Sequence, residues 1–352
     1  MSRPGRTGPP QESAGDGAPG GFAFLLPGDT RAPDSLRTVF VAFGANLLIA
    51  VAKTAAALIT RSASLTAEAA HSWADTGNEV FLLVANRRAV RPADRQHPLG
   101  HGREAYVWSL FAAVGLFVAG GAFSITHGVG QLRNPTPADD FLLGYAVLAL
   151  SFLLEGVSFV QSVRQARADA RVMQRDLIEH VLATSDPALR AVFAEDAAAL
   201  TGLVLATAGL AAHQLTGSAV PDAVGSILVG VLLVVVAAVL INRNRRFLVG
   251  EEADPRVRTA VLRSMLAMPE VSRVTYLRLE VVGPRMISVV GDVDLTGEDT
   301  ESQVAVRLRA LEAKIAASAA VAGAVFSLSA PDEPSLAPDD TGSCPEMRQD
   351  VQ

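Results

Sequence analysis

Cysteine is almost missing from this 352-residue chain. Cys344 is the one thiol, which excludes an intramolecular disulfide, a cysteine-rich zinc finger and an iron–sulfur cluster held by this chain alone. Lysine is nearly as rare: of 30 basic residues only Lys53 and Lys314 are lysine, and the remaining 28 are arginine. That bias points to a GC-rich genome more than to function. Aromatic residues make up 5% and charged residues 19%, and the net charge of −6 leaves no basic footprint for nucleic acid. What fills the chain instead is apolar. Hydrophobic residues, mostly Ala, Val and Leu, reach 50%, and the mean hydropathy of +0.31 is too high for an ordinary soluble protein. The composition describes an integral membrane protein.

A helix needs roughly 20 mostly apolar residues to cross the hydrocarbon core. Residues 105–132, 197–221 and 223–242 contain no Asp, Glu, Lys or Arg, 38–60 carries only Lys53, and 141–163 carries only Glu155. A less clean stretch at 63–86 includes Glu68, His71, Asp75 and Glu79. The pattern predicts six spans at 38–60, 63–86, 105–129, 141–163, 192–213 and 221–243. Arginines crowd the second and fourth connections (Arg87, Arg88, Arg91, Arg95, Arg103; Arg164, Arg167, Arg171, Arg175, Arg190) and follow the last span (Arg243, Arg245, Arg246). The opposite connections hold Arg61 and Arg133. By the positive-inside rule both termini are cytoplasmic. The expected location is multi-pass in a bacterial cell membrane. No signal peptide is read before the first span.

The domain organisation expected is a disordered cytoplasmic tail at 1–36, a six-helix transmembrane domain at 37–250, a cytoplasmic domain at 251–330 and a second disordered tail at 331–352. In the cytoplasmic domain, 255–268 reads as an amphipathic helix and 272–281 and 286–295 as strands joined at Gly283-Pro284. A helix at 299–318 and a strand at 321–329 follow. The order αββαβ suits a small two-layer α+β domain.

Ionisable groups inside a span are costly, so each is a functional candidate. His71 and Asp75 are four apart, on one helix face about 6 Å apart along the axis, and an imidazole and a carboxylate so placed can hold one divalent cation. A helix-packing hydrogen bond is the plainer alternative. Asn78 and Glu79 extend that face by a turn. Glu195 and Asp196 open the fifth span, where they suit either metal binding or capping of the helix N-terminus. Glu155 is a further candidate ligand or a hydrogen-bond partner, Glu68 a supporting group, and Lys53 is expected to snorkel outward. Outside the spans, Asp94, His97 and His101 can coordinate a metal round a turn shaped by Pro98 and Gly100, or simply face solvent.

These stretches together resemble a cation diffusion facilitator. The resemblance rests on Ser64-Leu65-Thr66-Ala67-Glu68-Ala69-Ala70-His71-Ser72 followed by Asp75, on His97-Pro98-Leu99-Gly100-His101-Gly102-Arg103, and on Glu195-Asp196. Asp222-Ala223-Val224-Gly225-Ser226-Ile227-Leu228-Val229-Gly230 and Leu248-Val249-Gly250-Glu251 complete it. Ser185-Asp186-Pro187 and Val282-Gly283-Pro284 are similar to the branch of zinc transporter nine and its bacterial relatives. The resemblance implies six transmembrane helices followed by a cytoplasmic ferredoxin-like domain, a homodimer in the lipid bilayer, and exchange of a divalent metal for protons rather than enzyme chemistry. It implies a transport site on His71, Asp75 and Asp196, with Val192 standing where the family has a fourth ligand, so that Glu195, Asn78 or water takes that role. Asp94, His97 and His101 match a secondary loop site. Zn2+ is the favoured cargo, and Mn2+, Fe2+ or Co2+ suits an oxygen-richer site. No His or Cys lies between 214 and 343, so the cytoplasmic domain is expected to dimerise without binding zinc tightly. Rival readings are an intramembrane hydrolase, which lacks a His-Glu-x-x-His motif, and a non-transporting adaptor with a relic site.

Overall fold

In lipid every backbone polar group must be satisfied within the chain, so long charge-poor runs fold as helices whatever their amphipathicity. The computed structural model describes residues 36–338, with side chains from 43 onward. The tails expected at 1–36 and 331–352 therefore lie outside the described residues except for Leu36 and 331–338. The helices are α1 (Leu36–Thr60), α2 (Ala63–Ala89), α3 (Glu104–Gly115), α4 (Phe123–Arg133), α5 (Phe141–Val172), α6 (Leu177–Ala183), α7 (Pro187–Thr216) and α8 (Val220–Val249). A π-helical stretch, Leu116–Ala122, joins α3 to α4. Among the described residues, five helical stretches, in α1, α3–α4, α5, α7 and α8, are long and apolar enough to cross a membrane. At 27 residues α2 is as long, but its charges set it apart.

Local chemistry fixes where these helices begin. Arg61, in the left-handed region at φ 55°, and Ser62 make the link between α1 and α2, and the Ser62 hydroxyl accepts from the Leu65 amide at 3.2 Å. Asp186 caps α7, accepting from the amides of Ala188 and Leu189 at 3.1 and 3.2 Å, with Pro187 at the first helical position, where a missing N–H costs nothing. Glycines then let helices approach. A Cβ at Gly230 would lie 2.8 Å from the Gly121 carbonyl oxygen, and one at Gly128 would lie 2.9 Å from that of Ala223. Small residues of this kind bring helix backbones together in lipid. Leu58, Leu142, Leu153 and Val157 are exposed on the outside of the bundle, as lipid-facing side chains are.

After α8 come α9 (Pro255–Leu266), β1 (Val271–Gly283), β2 (Met286–Leu295), α10 (Glu301–Ala316) and β3 (Val321–Leu328). The sheet runs in the order β1-β2-β3, with β1 and β2 antiparallel and β2 and β3 parallel across the α10 connection. Its inner face packs Val274, Leu279, Val289 and Val293 on Val261, Met265, Leu311 and Ile315. Tyr106 of α3 and Phe247 of α8, stacked 5.0 Å apart, join the same core, so the sheet domain is anchored to the membrane helices. Residues 251–253 pair along β1 through Val281 N to Glu251 O at 3.0 Å and Ala253 N to Leu279 O at 2.7 Å.

Chain expected to start the second tail is held in place. The Leu336 amide donates to Val274 O at 2.8 Å, and the Arg273 guanidinium donates to the carbonyls of Glu333 and Ala330 at 2.6 and 3.0 Å. Residues 330–336 are thus tied to β1 through backbone carbonyls, and Leu336 also packs on the core of the sheet domain.

Candidate metal centre and its charged surroundings

Helix α2 presents polar residues to α7 and α1. His71 Nε2 lies 3.3 Å from Asp75 Oδ2, with the imidazole 1% exposed and the carboxylate 23%. One turn on, Asn78 Nδ2 donates to Glu195 Oε1 on α7 at 2.8 Å. Glu79, expected on the same face, turns instead to α1, where it accepts from Asn46 Nδ2 at 2.5 Å. Successive residues differ by about 100° around a helix, so Asn78 and Glu79 cannot both face α7.

The same rotation separates Glu195 from Asp196. Glu195 is buried against Asn78, whereas Asp196 faces α5 and accepts from the Ser158 hydroxyl at 3.2 and 3.3 Å. Val192 is 38% exposed. His71 and Asp75 lie within electrostatic reach of both acids. The five residues predicted for the transport site therefore gather along the α2–α7 contact as two pairs, His71–Asp75 and Asn78–Glu195, with Asp196 at the edge. Among the described residues, the one group of three or more His, Cys, Asp or Glu with ligand atoms mutually within 4.8 Å is a different one, Asp94, His97 and His101.

In that loop Asp94 is the organiser. Its Oδ1 accepts from the amides of Gln96 and His97 at 2.8 and 2.7 Å and lies 3.1 Å from His97 Nδ1. Its Oδ2 lies 3.1 Å from His101 Nε2, and the two imidazoles sit 4.1 Å apart. The His97 amide, with the His101 ring behind it, holds the Asp94 carboxyl well below the usual carboxylate range. Two nitrogens and a carboxylate at this spacing are a donor set that suits zinc.

Lysine 53 does not snorkel. Its side chain is buried and its ammonium lies 3.0 Å from Glu68 Oε2 and 2.7 Å from Glu155 Oε1, joining α1, α2 and α5. Two carboxylates make burial of the cation tolerable where one would leave it under-paired. Glu155 is accordingly a partner of Lys53. The sequence carries a partial signal for this network: Lys53 and Glu155 are each the one charged residue of their apolar stretch, 38–60 and 141–163.

Asp222, at the start of α8, is also buried. It accepts from the amides of Ala63 and Ser64 at 2.5 and 3.3 Å and from the Ser62 hydroxyl at 2.9 Å, which spends its charge on the α2 N-terminus.

The cation efflux transmembrane domain matches residues 39–249. Metal tolerance protein C4 of Arabidopsis thaliana is 33% identical over 264 residues, covering 75% of this chain and 58% of that protein. The mitochondrial proton-coupled zinc antiporter SLC30A9 of Xenopus laevis is 32% identical over 261 residues, 74% of this chain and 47% of the relative. Its Homo sapiens counterpart is 31% identical over 261 residues, 74% and 46%. The chain spans about half the length of these curated relatives. With the family's domain matched over the helical bundle and relatives of this identity across three quarters of the chain, the protein belongs to the cation diffusion facilitator family of membrane transporters, near its SLC30A9 branch.

Proposed function

We propose that this transporter exports a divalent cation, zinc first, from the cytoplasm in exchange for protons, by alternating access around His71 and Asp75. The observation that carries the reading is their 3.3 Å approach on α2, opposite the Asn78–Glu195 pair of the α7 contact. An imidazole must be neutral to bind a metal, so cargo and protons compete for one lone pair. Glu195 is the buried acid of α7 and takes the place of the ligand absent at Val192; Asp196 swings in from Ser158 when metal binds. Relatives named as proton-coupled zinc antiporters support both the zinc and the proton.

In this reading α2 is a sixth span, packed inside the other five, and both termini lie in the cytoplasm. Residues 37–250 form the transport domain and 251–330 a ferredoxin-like domain through which two copies dimerise. Asp94, His97 and His101 form a secondary metal site at the cytoplasmic mouth. For the host membrane, the arginine bias points to a bacterial cell, whereas relatives named as mitochondrial do not favour one.

A second reading keeps the mechanism and changes the cargo. Val192 leaves one imidazole among oxygen donors, a set that suits manganese, iron or cobalt. The test is zinc uptake by purified protein in proteoliposomes under an imposed pH gradient, beside the same assay with manganese, iron and cobalt. Accumulation that depends on the gradient and vanishes in His71→Ala is expected. Uptake unchanged in that variant would sink the site, and no uptake of any of these metals would favour an adaptor that does not transport.

A further inference from the structure

Two carboxylates and one ammonium in contact leave one negative charge over, and Glu68, Glu155 and Lys53 are such a group. An unbalanced charge inside a membrane protein is expensive, so the group has a place for one further positive charge. The oxygen inventory says where. Glu68 Oε2 and Glu155 Oε1 face the Lys53 ammonium, while Glu68 Oε1 and Glu155 Oε2 are buried without a hydrogen-bond partner among the described residues. The space suits a proton rather than a metal ion. Lys53 already stands between the two acids, and Glu68 Oε1 lies so close to Gly202 that even a methyl there would collide with it.

The charged groups around the triad come from every helix packed on it. They are Lys53 on α1, Glu68, His71 and Asp75 on α2, Glu155 on α5, and Glu195 and Asp196 on α7. On α8, Asp222 is held by the α2 N-terminus. Glu68 and Lys53 act electrostatically on His71, His71 acts on Glu155, and Glu155 acts on Asp196.

We propose that Lys53, Glu68 and Glu155 form a proton-binding site separate from His71 and Asp75, which holds one proton while the metal site is empty and gives it up as a divalent cation arrives. The inference rests on the reading of His71 and Asp75 as the metal site. The proton sits on the unpartnered oxygen of one acid or the other, Glu68 Oε1 or Glu155 Oε2. An arriving divalent cation adds positive charge beside His71, the O–H bond of the protonated carboxyl breaks, and the proton passes to water while Lys53 keeps the remaining carboxylates paired. When the metal leaves on the far side, a carboxylate takes a proton from water there and the triad is neutral again. One of the two exported charges is thereby balanced by a proton that never competes for a metal lone pair.

The test counts protons released per zinc bound, with a pH dye in weakly buffered solution, on the full-length protein. Glu155→Gln and Glu68→Gln each leave the triad neutral without a proton. In either variant the count should fall by about one proton, the step a coupled acid pair gives up, and zinc accumulation driven by a pH gradient should be lost. An unchanged count in both variants overturns the proposal. His71→Ala, run in parallel, keeps the two readings apart, because zinc binding that survives it refutes the metal site and not the proton count. Should the glutamine variants fail to fold, wild-type protein suffices: infrared difference spectra on adding zinc should show loss of a protonated carboxyl band, and no such loss overturns the proposal.

Discussion

Gly102 and Gly283 meet backbone to backbone. A Cβ at Gly102 would lie 2.8 Å from Gly283 Cα, and one at Gly283 would lie 2.7 Å from Gly102 Cα. The contact docks the His97–Arg103 loop on the β1–β2 hairpin, beside the Arg103–Glu280 ion pair and a hydrogen bond from the Arg285 amide to Ser185 Oγ at 3.1 Å. Loop and hairpin are thus joined by backbone contact, and glycine at both positions is what allows the approach.

Replacing Gly102 with alanine should therefore force these two segments apart. Overpacking at a backbone contact costs about 1–3 kcal/mol, which a lowered midpoint in detergent-solubilised thermal unfolding would report. A Gly102→Ala, Gly283→Ala double variant should lose less than the sum of the singles, since the first substitution already opens the gap. Full additivity would mean the contact is not shared.

Asn78 positions Glu195, so it should matter for metal although it brings no charge. Outer partners of metal ligands usually change affinity by about 10–100-fold, and Asn78→Ala should weaken zinc binding on that scale in calorimetric titration. Val192→His should act in the opposite sense, raising preference for zinc over manganese by adding a nitrogen four residues before Asp196. Unchanged selectivity would show that the exposed Val192 face never reaches the cargo.

Much of this was legible in the sequence because the signals were local or long. Charge-free runs gave the helices, His71 and Asp75 share a face by spacing alone, and Asp94, His97 and His101 lie within eight residues of one another. What was hidden depended on rotation or on distant partners. The acids Glu195 and Asp196 look equivalent in the chain, yet one faces α2 and the other α5. Lys53 reads as a snorkelling cation until helices bring Glu68 and Glu155, 15 and 102 residues away, to its ammonium. The segment near Leu336 has no periodicity to betray that β1 holds it.

Asp222 ties the start of α8 to the start of α2, and its charge is what suits the α2 N-terminus. Asp222→Asn keeps the shape but removes the charge, and one amide hydrogen would face the Ala63 or Ser64 N–H. Hydrogen bonds to charged groups contribute about 1.5–3 kcal/mol, so a drop in thermal midpoint of that order is expected. Metal-site variants such as His71→Ala should not show it. If Asp222→Asn melts like the wild type, the carboxylate is not what anchors α2.

His180, on α6 beyond the membrane helices, supplies a pH dependence that owes nothing to cargo. It lies at the edge of a cavity of about 750 Å³ between the bundle and the sheet domain, 6% exposed, with both ring nitrogens unpartnered among the described residues. Burial, with Arg175 and Arg285 nearby and Asp169 opposing, holds its imidazole below the usual histidine range. The folded state therefore binds this proton less readily than the unfolded chain. The contribution to stability is complete above the unfolded value of roughly 6.5 and is lost as pH falls below it toward the folded value. Thermal midpoints measured without metal should decline through that window in wild type and decline less in His180→Leu, whose side chain has no charge to acquire. Parallel curves for the two proteins would show that the acid loss comes from other groups.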